Sequence, residues 1–368
     1  MKKLIHLQLL PILSGVQRFS LYLLEGLPRD QYEIYLAGAP GGELEREVRN
    51  RGWTFLPLKC LKHPISLMDI PALIQICWLF TKHRFDIVHT NSSKPGLLGR
   101  LAARLTSVPL IVHTVHGAPF QDHQSRLSQV FFKHMEKLGN ALGNYTIFVN
   151  HSDRERYLKL HLVQPNKALT IYNAMPDKQI LLPTVPKTKD DRCITIGSTI
   201  RFSEQKNVIS MLIAACQACH QESKLKFIIL GDGEHLELCR SIVASHHLSE
   251  RILLPGWDSQ VQPWLAIFDA FVLYSRWESM PFSIIEAMQA GLPVIGSNIP
   301  SIMELVNEDC GWIVPLYDQK ALIETYIRVA RDPHGIRTKG ENARSRIQRF
   351  CDYDAMVSAY RRIYEGGS

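Results

Sequence analysis

The feature that most constrains this chain is a β-α alternation that runs twice along its length. Short apolar, β-branched runs at Lys3–Leu10, Glu33–Ala37, Ile87–His89, Leu110–Thr114 and Thr146–Val149 read as strands. Between them, Gly15–Leu27, Leu44–Arg51, Ser66–Lys82, Lys94–Thr106 and Ser125–Leu142 carry the spacing of helices. The order then repeats. Strands are expected at Cys193–Ser198, Lys226–Leu230, Ile252–Leu254, Ala270–Tyr274 and Val294–Gly296, with helices at Val208–His220, Glu234–His246, Val261–Ala266 and Phe282–Ala290. A helix between successive strands returns the chain to the same sheet edge, so the strands run parallel. The expected fold is α/β, with two Rossmann-like doubly wound parallel-sheet domains facing a central cleft where the carboxyl ends of the strands bind ligands. A length of 368 residues, 46% of them apolar, fills two such cores. Residues 1–175 form the expected first domain and 192–350 the second. Residues 176–191, with three prolines and mixed charges, connect them, and 351–368 form a C-terminal helix free to pack back on the first domain.

Composition excludes several classes. With 21% charged residues among so many apolar ones, the chain is not disordered. Its net charge of +7 is dispersed and accompanied by no binding motif, which disfavours nucleic acid. The stretch Pro71–Phe80 falls short of the roughly 20 residues that span a bilayer. Met1-Lys2-Lys3 begins like a signal peptide, but His6 and Gln8 interrupt the apolar run and no small-residue cleavage site follows. A buried first strand and a cytoplasmic location are expected. The eight cysteines lack framework spacing and read as reduced thiols. Cys216-Gln-Ala-Cys219-His220 matches the haem-attachment pattern but lies within an amphipathic run. Asp352-Tyr353-Asp354 resembles a metal clamp but follows the last expected strand, where a solvated helix start accounts for it better.

Four segments carry chemistry. In the first, a strand ends at Tyr274, a loop bears Glu278, and a helix begins near Pro281 with Glu286 in its second turn. If all nine residues were helical, the two carboxylates would lie about 80° apart on the wheel. With a loop between them they can grip separate parts of one extended ligand. The N–H groups of Phe282 and Ser283 at the helix start suit an anion, most naturally a phosphate. In the second segment, Arg201 and Lys206 follow a strand and precede a helix, a placement that suits a diphosphate. The third and fourth segments lie in the first domain. There Gly15 opens a helix after the first strand, without the G-x-G-x-x-G pattern of a dinucleotide site, and His116 ends another strand.

Taken together these segments resemble the retaining glycosyltransferases of family four, which have the GT-B fold. The Glu278…Glu286 spacing and Glu286-Ala-Met-Gln-Ala-Gly291-Leu-Pro-Val-Ile form the specific core of the likeness. Ser14-Gly15-Val-Gln-Arg18, residues 86–93, His116-Gly117, Ile171-Tyr-Asn173, Arg201 with Lys206, and Leu230-Gly-Asp-Gly233 follow in the expected order. The resemblance implies that Gly15 admits the donor diphosphate and sugar, that Arg201 and Lys206 neutralise the diphosphate, and that Glu286 holds the ribose. It places Glu278 on the transferred sugar, His116 beside the reacting centre, and the main chain of Ser279, Met280, Phe282 and Ser283 on sugar hydroxyls and phosphate. Pro281 stands where the family more often has glycine, which removes an N–H donor.

The implied activity is transfer of a hexose-type sugar from a UDP- or GDP-sugar to an acceptor hydroxyl, with no cofactor and no metal, in assembly of a bacterial surface polysaccharide such as lipopolysaccharide, O-antigen or capsule. The acceptor would be a glycan or a lipid-linked oligosaccharide. A sugar-nucleotide epimerase on the same scaffold and a non-catalytic sugar-nucleotide-binding protein are the rival readings. In the helix within residues 124–142, Leu127, Val130, Phe131, Met135, Leu138 and Leu142 share one face, flanked by Arg126, Lys133, His134 and Lys137. That face is expected to point into the core. The alternative is a peripheral contact with an anionic membrane on the inner face of the cytoplasmic membrane.

Overall fold

The computed structural model describes residues 1–62, 66–121, 124–176 and 192–366. The chain divides into two compact units, Met1–Met175 with Tyr353–Ser368, and Pro176–Asp352. All of the 176–191 connection except Pro176 lies outside the described residues.

The first unit runs β1 (Lys2–Leu7), α1 (Gly15–Glu25), β2 (Tyr32–Gly38), α2 (Glu43–Asn50), β3 (Thr54–Pro57), α3 (Asp69–His83), β4 (Ile87–Asn91), α4 (Ser93–Leu105), β5 (Leu110–Val115), α5 (Arg126–Leu142), β6 (Tyr145–Phe148), α6 (His151–Lys159) and β7 (Ala168–Thr170). Its sheet has the order β3-β2-β1-β4-β5-β6-β7, parallel throughout. The second unit continues with β8 (Ile194–Thr199), α7 (Val208–Gln221), β9 (Leu225–Leu230), α8 (Leu236–Ser245), β10 (Ile252–Gly256), α9 (Gln262–Leu265), β11 (Ala270–Leu273), α10 (Phe282–Gln289), β12 (Val294–Ser297), α11 (Pro300–Leu305), β13 (Gly311–Val314), α12 (Gln319–Arg331) and α13 (Pro333–Phe350). Its six-stranded sheet, β10-β9-β8-β11-β12-β13, repeats the order of the first six strands of the seven-stranded one. The last helix, α14 (Tyr353–Glu365), belongs to the first unit.

Alternation along each strand of the first sheet sorts its two faces. Ile5, Leu7, Tyr35, Ala37, Val88 and Ile111 pack with Ala72, Ile76, Leu79 and Phe80 of α3 and Ala102 and Ala103 of α4. His6 and His89, one residue out of phase with that set, meet α14 on the opposite face. Caps set several helix starts. Asn150 Oδ1 accepts from Asp153 N at 2.6 Å, and Asp332 Oδ1 accepts from Gly335 N at 2.8 Å. Gly291, at φ +81°, closes α10 in a Schellman motif, its N–H bonding Met288 O while Leu292 N–H bonds Ala287 O.

Some expectations need correction. β1 stops at Leu7 rather than Leu10, because Gln8 turns its side chain inward to Ser20 and Gln17 at the point where the chain leaves the sheet. β3, β7 and β13, of three or four residues each, are strands beyond those expected. The apolar stripe of α5 also faces the other way. Its buried residues are Glu136, Gly139 and Asn140, while Leu127, Val130, Phe131 and Leu138 are exposed. The cause is Arg100 of α4, fully buried, which donates to Gly96 O and to Asn140 Oδ1 and lies beside Glu136. A buried guanidinium draws polar partners and turns α5 to supply them. No described helix is long and apolar enough to cross a membrane.

Candidate active site

In an open parallel sheet, ligands bind where neighbouring strands send their connections in opposite directions. In the second unit that point lies between β8 and β11. The β8–α7 loop carries Arg201 and Lys206, and the β11–α10 loop carries Glu278. Lys206 Nζ and Glu278 Oε1 form an ion pair there, with the two side chains only 17% and 6% exposed. Ser275 Oγ donates to the same carboxylate oxygen at 2.7 Å. The two loops are sewn together, since Arg276 N donates to Gln205 O at 2.8 Å and Gln205 Nε2 to Trp277 O at 2.9 Å. Ser297 Oγ, at the end of β12, holds Ser275 O at 2.6 Å.

The β8–α7 loop is braced from its other side. Ile200 N donates to Leu230 O, Phe202 N to Asp232 O, and His235 N to Phe202 O. This contact demands glycine at Gly231, at φ +138°, where a Cβ would lie 1.7 Å from Ile200 O. Arg201 sits on the braced segment with its side chain 70% exposed, 3.5 Å from Glu234. Arg201 and Lys206 are therefore differently placed: one is paired and nearly buried, the other reaches into solvent. Ser279, Met280, Phe282 and Glu286 are buried, and Ser283 is partly exposed at the start of α10. The first N–H groups of a helix have no carbonyl within it to bond. Pro281 is the N-cap of α10, just before that start.

In the first unit the corresponding switch falls between β1 and β4. Gly15 is the exposed first residue of α1, behind Ser14, whose hydroxyl and N–H both bond Gln17 Oε1. His116 follows β5, and its ring packs on Phe19 of α1 with centroids 4.8 Å apart. Its Nε2 lies 3.0 Å from Asn91 Oδ1, and Asn91 Nδ2 donates to Leu7 O at 3.4 Å. That second bond orients the amide, so His116 Nε2–H donates and Nδ1 keeps its lone pair. Burial lowers the His116 pKa to about 3, so the ring is neutral near pH 7. Sequence reasoning missed Ser275, Gln205 and Ser297, whose roles depend on which strand ends are neighbours.

The two decoys resolve differently from the site. Cys216 and Cys219 are buried in α7 and His220 is exposed, so the three side chains do not share one accessible face. Burial raises the two thiols to about 11 and about 12. Asp352 and Asp354 flank the exposed start of α14. Among the described residues, no three His, Cys, Asp or Glu side chains converge as metal ligands would.

Residues 13–179 match the model described as Glycosyltransferase Family 4, and residues 185–346 match Glycosyl transferases group 1. The chain belongs to the family-four glycosyltransferases, on the GT-B fold. It is 33% identical, over 98% of its length and 96% of the relative's, to the Escherichia coli UDP-Gal:alpha-D-GlcNAc-diphosphoundecaprenol alpha-1,3-galactosyltransferase. It is 24% identical to the Staphylococcus aureus capsular polysaccharide biosynthesis glycosyltransferase CapM, over 88% of this chain and 87% of that one. The Anabaena HepE structure in complex with UDP and glucose superposes with a TM-score of 0.84, covering all of both chains at 15% identity.

Proposed function

We propose that this protein is a retaining, metal-independent glycosyltransferase of surface polysaccharide assembly. It moves a hexose from a UDP-sugar to a hydroxyl of a lipid-diphosphate-linked sugar. The E. coli relative, whose name states such a donor and acceptor, supports that substrate class. The observation that carries the reading is the nearly buried Lys206–Glu278 pair at the switch point of the second sheet. A donor diphosphate draws Lys206 to itself, and the carboxylate left behind accepts a hydroxyl of the sugar. Exposed Arg201 adds its fork to the phosphates, and Glu286 takes the ribose hydroxyls.

In the transfer, the bond from the anomeric carbon to the diphosphate oxygen breaks and a bond to the acceptor oxygen forms on the same face. The acceptor's proton passes to the departing phosphate oxygen. Lys206 and Arg201 stabilise the charge that grows there, which replaces a metal. His116 Nδ1, neutral and unprotonated, accepts from a sugar hydroxyl, and Gly15 leaves the start of α1 bare for the donor.

Incubation with UDP-hexoses and a polyprenyl-diphosphate-linked N-acetylhexosamine, with the product anomer read by NMR, tests the proposal. Retained anomeric configuration and turnover unchanged in excess EDTA are expected. Inversion refutes the mechanism. Abolition by chelator with rescue by manganese or magnesium refutes metal independence.

A further inference from the structure

Helix α5 is amphipathic in a sense opposite to its place in the fold. Its inner side holds Glu136 and Asn140 against buried Arg100, and its outer side presents Leu127, Val130, Phe131 and Leu138. Leu127 is 85% exposed. Burying polar groups while leaving apolar ones outside costs free energy twice, and a large exposed apolar surface marks an interaction site. Helix α3 repeats the feature. Ile70, Ile74 and Trp78, one turn apart, form an outward row in which Trp78 is 57% exposed, and Lys82 Nζ lies 4.8 Å from the Trp78 ring. Helix α4 packs against both α3 and α5 and adds exposed Leu105.

The charge on this layer is one-sided. The three helices hold seven Lys and Arg against two acids. Both acids are engaged, Asp69 with Lys94 at 2.5 Å and Glu136 beside Arg100. Lys82, Arg104, Arg126, Lys133 and Lys137 remain around the apolar rows. A second copy of the chain would bring the same cations face to face across a two-fold axis, which opposes self-association. Aliphatic side chains, a tryptophan and a rim of cations together match the boundary between acyl chains and anionic headgroups.

We propose that the outward face of α3, α4 and α5 docks on an anionic lipid bilayer. Leu127, Phe131, Ile74 and Trp78 enter the headgroup boundary, and the surrounding lysines and arginines meet lipid phosphates. This goes beyond the catalytic reading, since none of these residues is assigned to donor or chemistry.

The test is co-sedimentation of the full chain with vesicles of phosphatidylglycerol and phosphatidylethanolamine, or of phosphatidylcholine alone, with UDP affinity measured by calorimetry in parallel. Binding to the anionic vesicles, weakened by salt, is expected, with about ten-fold less on phosphatidylcholine. Leu127→Gln with Phe131→Gln, and separately Trp78→Ser, are each expected to lose about ten-fold of the anionic partition while keeping wild-type melting and UDP affinity. Unchanged partition in both variants, or no binding to anionic vesicles, overturns the proposal. So does a dimer that the double variant abolishes, which makes the face a protein interface. Vesicle binding that persists in a protein unable to bind UDP upholds this surface and removes the donor reading instead.

Discussion

At the scale of residues, Lys206 and Glu278 are partners before any substrate arrives. This sharpens what each substitution does. Glu278→Ala frees Lys206, so free UDP is expected to bind as well as or better than in wild type while turnover falls. Glu286→Ala removes a buried carboxylate and is expected to weaken both UDP and UDP-sugar. A lost charge-assisted hydrogen bond is worth about 1.5–3 kcal/mol, roughly ten- to a hundred-fold. Lys206→Ala is expected to depress turnover most, because leaving-group charge grows toward the transition state. Calorimetry with UDP and initial rates with the full donor separate the three. Equal loss of UDP in Glu278→Ala and Glu286→Ala would show that Glu278 does not face the sugar. Both glutamates and both cations are legible in the sequence. Their pairing is not, because Lys206 and Glu278 stand 72 positions apart and no local pattern reports a neighbour at that separation.

At the scale of elements, the loop after β8 keeps its shape through the glycines of the loop after β9. Gly231 holds a backbone conformation open almost only to glycine, with Ile200 O where a side chain would begin. Gly231→Ala is therefore expected to cost at least about 2 kcal/mol and to displace Arg201 on the neighbouring loop. Chemical denaturation reads the first effect, and UDP affinity measured well below the midpoint reads the second. An alanine variant with wild-type stability and affinity would show that the two loops are not coupled. Elements also show where periodicity fails. The stripe on α5 announces a helix, but a helical wheel gives a face without its direction. Arg100, on another helix, decides that Glu136 and Asn140 turn inward.

At the scale of the molecule, the chain's last helix secures its first strand. Tyr364 OH, on α14, lies 3.1 Å from His6 Nε2 and 2.5 Å from His89 Nδ1. With one proton to give, it donates to one ring and accepts from the other. The chain continues from His89 to Thr114 and Tyr360, and from His6 to Ser20 and Gln8. Burial, and secondarily the neighbouring His116, lowers the His6 pKa to about 3; burial first, and then nearby histidines, holds His89 well below its ordinary value. A histidine whose folded pKa is depressed contributes stability that is fully present above its unfolded value, near 6.5, and is lost as pH falls toward the folded one. Each such ring is expected to add up to about 1.4 kcal/mol per pH unit to the acid slope below pH 6.5. Tyr364→Phe strands both ring nitrogens and is expected to cost about 1–3 kcal/mol at neutral pH. Denaturation followed by the first unit's tryptophans across pH 4–8 checks both, and a flat profile would mean that the rings are not buried as neutral groups.

By itself the sequence determined that this chain alternates strand and helix twice, where most of those elements lie, and which loops bear the glutamates and cations. Periodicity, capping and strand-to-helix loops act over a few neighbouring residues, so they are written where they operate. Only the tertiary structure decided that Lys206 meets Glu278, that His116 takes its tautomer from Asn91, that α5 turns its apolar side outward, and that Tyr364 joins two strands 358 and 275 positions away. Each depends on which strands are neighbours and which face of a helix meets the sheet. Those choices are settled by packing and hydrogen bonding over the whole unit, and no short segment carries that sum.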